Sequence, residues 1–340
     1  MKVILEQRLF FLLPACILVA TSLFLLKVGP ESTGAPPGHQ PHQKELAIEP
    51  AESIKPEPTI DEHIILHPDT PEPGDFMVIE AGPIKNTATP EIEFDFPGEL
   101  SAVQHTENLV YAVIGICYET EPDRYNITIS KSANPSESLE LQKAVSIGKK
   151  KFQESRFSMP AGVTEGWTPD RLAEEREMIR EAMAKTEPYP LWIKRFIEPL
   201  EGRVTSEFGA IRIIDGNPPR RHNGIDIAAE EGTPVVSPNR GIVRLADSLL
   251  AGGKTVIIDH GLDLSSTYMH LDSIEVEKGQ IIERGDVLGT VGMTGYATGP
   301  HLHWEVNVGQ TPVNPEQIFD NDLLWIPCGY AAKKLSTSHR

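Results

Sequence analysis

Glycine cuts the last 140 residues of the chain into apolar runs too short for helices. In KGQIIERGDVLGTVGMTG (residues 278–295), glycines at 279, 285, 289, 292 and 295 bracket brief apolar stretches. A helix needs apolar positions every three or four residues over ten or more; short strands meeting at tight corners fit this pattern instead. VRLADSLLAGGKTVIIDHG (243–261) reads as two strands joined at Gly252-Gly253. EGTPVVSPNRGIV and KGQIIERGDVLGTV echo each other: glycine, an apolar pair, a turn, a second glycine, an apolar strand. One insertion aligns them, which suggests an internal duplication.

Upstream, the chain divides by texture. Residues 9–26, LFFLLPACILVATSLFLL, carry no charge and follow Lys2 and Arg8. Their length suits a membrane-spanning helix, and the preceding positive charges place the amino end in the cytoplasm. No small-x-small cleavage site follows. Residues 1–29 are therefore expected to be an uncleaved anchor. Residues 30–73 hold ten of the 29 prolines and few large apolar side chains, so they read as a disordered tether reaching on the order of 100 Å. Residues 74–135 look like a small β-sandwich-like domain. In EIEFDFPG, Ile92, Phe94 and Phe96 alternate with acidic residues; NLVYAVIGICYE reads as a buried strand; in RYNITIS, Tyr125, Ile127 and Ile129 share a face. Residues 136–196 form a linker with a helix, capped by Thr168 with Pro169 at its first position. Leu172, Ile179 and Met183 give that helix an apolar stripe, and its glutamates a solvated face. A β domain over residues 197–325 and a tail over 326–340 complete the expected layout.

The formal net charge of −18 argues against non-specific nucleic-acid binding, which needs clustered Lys and Arg. Three cysteines, Cys16, Cys117 and Cys328, are too few for a disulfide framework or a thiolate zinc site; at most Cys117 and Cys328 could pair.

Of eleven histidines, five fall in the glycine-cut region: His222, His260, His270, His301 and His303. If RHNGIDIA (221–228) is extended, His222, Gly224 and Asp226 share a face, and the missing side chain at Gly224 leaves space for an ion. In GPHLHWEV, His301 and His303 share a face while Leu302 and Trp304 point into a core. In STYMHL, Tyr268 and His270 face one way, Met269 and Leu271 the other, so Tyr268 is a candidate to line the cleft. Trp304 and Phe208 read as core, and His260, at a strand end, as structural. Two histidines and one carboxylate supply three ligands of a hydrolytic zinc site, which keeps its fourth position open. Further histidines nearby move protons and stabilise an oxyanion.

HNGID at 222–226, YMHL at 268–271 and GPHLHWEV at 299–306 resemble the motifs of lysostaphin- and LytM-type zinc peptidases. VTSEFGAIR (204–212) and AAEEGTPVVSPNRGIV add to the likeness, which covers roughly residues 197–318. The resemblance implies an antiparallel β fold of the duplicated-hybrid-motif type and cleavage of peptides in bacterial peptidoglycan. It implies one zinc ion on His222, Asp226 and His303, with His270 and His301 as the catalytic pair, base and acid roles unassigned. The resulting expectation is a membrane-tethered zinc endopeptidase of the periplasm or cell envelope that acts on cross-links or stem peptides.

Two other classes compete. Relatives that have lost zinc ligands act as activators or scaffolds for wall hydrolases; the complete five-residue set favours an enzyme here. A biotinyl- or lipoyl-type carrier needs a lysine between apolar residues at a hairpin tip, and Lys254, followed by Thr255, fits poorly. The upstream module has no chemistry of its own, so it could instead cover the catalytic groove until a partner displaces it. A regulatory envelope protein is thus a possible partner.

Overall fold

The computed structural model describes residues 59–60, 64–82, 90–101, 103–105, 110–132, 138–192 and 194–319. All lie in the unit that begins at Pro58. The expected anchor, Cys16, Cys328 and the C-terminal tail lie outside the described residues.

The described residues are mainly strand, and their sheets are mainly antiparallel. The largest sheet has ten strands, with the path Arg203–Ser206, Ile225–Ala228, His301–Val308, Leu264–Ile274, Gly253–Gly261, Gly241–Leu249 and Ile281–Ile282 at its heart. Glycine marks several of the corners between its strands. Gly232, Gly279 and Gly285 all adopt positive φ at the corners, a conformation that costs an L side chain energy. The sequence echo has a structural counterpart. Pro234–Val236 from the first copy pairs with Val287–Val291 from the second, and Gly241–Leu249 from the first with Ile281–Ile282 from the second. The two copies thus exchange strands reciprocally.

Two further sheets precede this one. Ile64–His67, Phe76–Ala81, Val110–Ile116 and Gly98–Leu100 form one; Thr59–Ile60, Ser138–Ser146, Arg124–Ser132 and Glu91–Phe94 form the other. They share a core in which Met77, Ile79, Ala112 and Ile114 meet Ile92, Ile127, Ile129 and Leu141. The opposite face of the first sheet, with Phe76, Val78, Tyr111 and Val113, joins the core of the ten-stranded sheet. This double packing explains why every residue of Val110–Ile116 is buried.

These sheets also move two expected boundaries. Ile64 and Leu66 are buried against Phe76–Ala81, so strand structure begins within the segment read as a tether. Ser138–Ser146 pairs along its whole length with Arg124–Ser132, so the sheet continues past residue 135.

The helix Pro169–Met183 is capped as expected, Thr168 accepting from the Arg171 N–H. Ile179, Ala182 and Met183 pack on Leu245, Leu249 and Ile257 of the central hairpin. Its glutamates are not all solvated: Glu175 accepts from the Leu250 N–H at the hairpin turn. Just upstream, Glu154–Phe157 pairs in parallel with Ile211–Ile214, which pairs in turn with Arg220–Arg221. This small sheet lies beside the residues described next.

Candidate metal and catalytic site

Ile225–Ala228 and His301–Val308 are adjacent antiparallel strands, with Asp226 directly opposite His303. Gly224, just before the first strand, is essential to this pairing. A Cβ there would meet the Trp304 carbonyl oxygen at 2.2 Å. The space that the sequence reading reserved for an ion is therefore filled by backbone, and the ion site lies to one side.

His222 closes the cluster. Its Nε2 lies 3.0 Å from Asp226 Oδ1 and 2.9 Å from His303 Nδ1, and His303 Nδ1 lies 2.8 Å from the same Oδ1. All three residues are buried. Their outer partners fix the tautomers. His222 Nδ1 is 2.9 Å from the Glu207 carbonyl oxygen, to which it can only donate. His303 Nε2 is 2.9 Å from Glu305 Oε1 and likewise donates. The inward atoms are therefore two nitrogen lone pairs and a carboxylate oxygen, three acceptors facing one point. Such a set repels itself unless a proton or cation sits among its members.

Electrostatics agree. Burial pushes the Asp226 carboxyl up, but the interactions with the His222 and His303 imidazoles outweigh that and hold it well below the usual carboxylate range. Burial pushes His303 down, yet Asp226 and Glu305 outweigh it and raise the imidazole to about 9. The side chains alone thus retain one proton that a divalent ion would displace. Two nitrogens and one carboxylate oxygen, each positioned by an outer partner, are a donor set that fits zinc. Arg212 takes the remaining carboxylate oxygen, bonding both Asp226 Oδ2 and Ser206 Oγ.

His270 and His301 stand beside the cluster with ring centroids 4.8 Å apart. His301 donates Nδ1–H to the Gly299 carbonyl at 2.7 Å, and its Nε2 is 3.8 Å from Asp226 Oδ1. His270 donates Nδ1–H to the Thr294 carbonyl at 2.8 Å. Burial, with His303 and His301 nearby, lowers the His270 imidazole to about 3, so it is neutral near pH 7. Each ring thereby keeps an Nε2 lone pair available for a proton.

His270 faces the cluster as expected, but the face assigned to Tyr268 needs correction. Tyr268 lies opposite Trp304 in the buried core, so it does not line the cleft; Met269 lies opposite His303. Simple alternation would send His270 into the core with Tyr268. Instead the register slips between Lys254 and Val256, and His270 takes φ 65°. This bulge re-aims the imidazole toward the cluster. Trp304 and Phe208 are core residues, as expected. His260 is fully buried, its Nδ1 2.9 Å from the Arg240 carbonyl and its Nε2 2.8 Å from Ser266 Oγ.

Two neighbours of the cluster carried no role in the sequence reading. Glu305 follows His303 by two residues on the same strand, so the alternation that joined His301 to His303 extends to it. Arg212 lies on a separate strand, and no local spacing ties it to Asp226.

A closed cluster of two histidines and an aspartate on an antiparallel sheet, with two further imidazoles beside it, is a candidate metal site. Residues 220–315 match the family model described as Peptidase family M23, and the chain thus carries a domain of that family. Over 93 residues it is 44% identical to peptidoglycan DD-endopeptidase ShyA of Vibrio cholerae, covering 27% of this chain and 22% of that protein. Over 123 residues it is 37% identical to the DD-carboxypeptidase/endopeptidase Mpg of Neisseria meningitidis, covering 36% and 28%. A crystal structure of a putative peptidase M23 from Pseudomonas aeruginosa superposes with a TM-score of 0.54 at 29% identity, covering 74% of this chain and 95% of that one. The matched region of the two curated relatives is about a quarter of their length.

Proposed function

We propose that this protein is a zinc-dependent endopeptidase that hydrolyses peptide cross-links or stem peptides of bacterial peptidoglycan. The observation that carries the reading is the convergence of three acceptor atoms, His222 Nε2, Asp226 Oδ1 and His303 Nδ1, at 2.8 to 3.0 Å from one another. When bound there, zinc supplies Lewis acidity to a scissile carbonyl and acidifies water.

The chain's own residues do the rest. Glu207 and Glu305 hold the two imidazoles in the tautomers that leave the inward nitrogens free. His270 and His301 each present a free Nε2, positioned to take a proton from the attacking water and return one to the leaving amine. Their Nδ1–H groups are committed to backbone carbonyls, so neither ring can turn without losing a hydrogen bond. The similarity to two relatives named as peptidoglycan DD-endopeptidase and DD-carboxypeptidase/endopeptidase supports a cell-wall peptide as substrate. A non-catalytic regulator would be expected to lack part of this set, and all five side chains are present.

The uncharged segment at residues 9–26 supports attachment to the cytoplasmic membrane, with the catalytic domain in the periplasm or cell envelope. Zinc stoichiometry of the purified chain, together with release of new amino termini from peptidoglycan, tests the enzymatic reading. Bound zinc without turnover would favour the regulator. Fractionation of cells tests the location, and recovery in a fraction without membranes would count against the anchor.

A further inference from the structure

A groove of about 300 Å³ opens beside the cluster and is lined by His270, His301 and Asp226. Three of its other lining residues, Ser155, Phe157 and Met159, come from the segment upstream of the helix, more than sixty residues before the family match begins at 220. They sit at i, i+2 and i+4, the spacing of one face of a strand. The parallel register sets Ser155 beside Arg212 and Phe157 beside Ile214, and all four line the groove. One face of the small sheet is thus a wall of the groove.

That wall is graded. Its Ser155–Arg212 row is polar and reaches the cluster through the bond from Arg212 to Asp226. The Phe157–Ile214 row, two residues further along, is apolar, and Met159 extends it. Two residues of strand span roughly 7 Å. A peptide lying extended in the groove has the same repeat. With its scissile bond at the cluster, the side chain about two positions away meets the apolar row. Among the described residues the groove's one carboxylate is Asp226, which is committed to the cluster, so no acidic group waits for a cationic side chain. The segment is also fixed in place: Ile211 N–H donates to the Gln153 carbonyl at 2.7 Å, Asp215 N–H to that of Phe157 at 3.1 Å, and Met159 N–H to Asp215 Oδ1 at 3.2 Å.

Resting on the peptidase reading above, we propose that Phe157, Met159 and Ile214 form a substrate subsite for an uncharged, methyl- or methylene-bearing side chain about two residues from the scissile bond. The catalytic unit then includes the segment from residue 153, and the matched domain alone lacks one wall of its groove.

The test uses the full chain and cross-linked muropeptide dimers. In a His270→Ala background that leaves the peptide uncut, calorimetry should show the Kd rising about tenfold with Phe157→Ala plus Met159→Ala. Phe157→Leu, which keeps an apolar side chain, should stay within about threefold. In the active background the double variant should raise KM about tenfold with kcat within twofold, while zinc content and thermal midpoint hold. A Kd and KM indifferent to both residues would overturn the subsite, as would absence of dimer binding to the His270→Ala protein with its wall intact. The two readings fail separately. Turnover without dependence on Phe157 and Met159 removes the subsite and leaves the peptidase. Binding that depends on Phe157, with no turnover by the zinc-loaded wild type, removes the peptidase and leaves the subsite.

Discussion

His303 Nε2 and Glu305 Oε1 are 2.9 Å apart on one strand, and both residues are buried. The carboxylate accepts a hydrogen bond from the outer nitrogen of His303, so a metal bound at the cluster would meet the inner nitrogen as a lone pair. Glu305→Gln keeps the size of the group but removes its charge, which weakens the basicity that Glu305 lends to the imidazole. Zinc affinity measured against a competing chelator is expected to fall about 10–100-fold. An unchanged affinity would show that Glu305 does not tune the ligand.

His270 occupies a left-handed backbone conformation at φ 65°. Non-glycine residues adopt it at a cost, and asparagine tolerates it better than alanine. Both His270→Asn and His270→Ala should abolish hydrolysis, but Asn should leave the protein more stable by up to about 1 kcal/mol in urea unfolding. Equal stabilities would mean that the bulge relaxes when the imidazole is lost.

Gly224→Ala puts a Cβ 2.2 Å from the Trp304 carbonyl oxygen, on backbone that cannot swing away. The strand carrying Asp226 must separate from the strand carrying His303. A loss of about 2 kcal/mol or more, with weakened zinc binding, is expected. Retention of wild-type zinc affinity would show that this contact does not set the geometry.

His260 couples folding to pH. Burial lowers its folded pKa to about 4, against about 6.5 in an unfolded chain. Above pH 6.5 both states are neutral and the residue contributes no slope. Between 6.5 and 4 only the unfolded chain takes the proton, so stability falls as pH falls, by up to about 1.4 kcal/mol per unit, and levels off below 4. His260→Gln cannot titrate and should show a shallower acid slope in that window. Parallel curves for the two proteins would contradict this.

The pieces of the candidate site were legible where they are local, while the joining of His303 to Asp226, 77 residues away, rested on the resemblance to the peptidase motifs. His222 and Asp226 are four residues apart, His301 and His303 two apart, and strand alternation predicts which side chains share a face. The glycine spacing announced the β fold for a similar reason, since corners are set residue by residue. Legibility failed where distant chain decided the outcome. The bulge at His270 depends on a register slip against a neighbouring strand, and that slip, unseen in STYMHL, put Tyr268 on the wrong side. Lys143 interrupts the alternation of Leu141, Val145 and Ile147, so the strand Ser138–Ser146 gave little signal although all three apolar residues are buried. ESRF at 154–157 has a single large apolar residue. It becomes a strand by pairing with Ile211–Ile214, more than fifty residues downstream.

Digestion of purified peptidoglycan by the zinc-loaded chain, followed by mass spectrometry of the muropeptides, tests the central claim most directly. Cross-linked dimers are expected to diminish and new peptide termini to appear with the wild type, while His303→Ala and His301→Ala leave the muropeptide profile unchanged. No new termini from the zinc-loaded wild type, or the same termini from His303→Ala, would contradict the account.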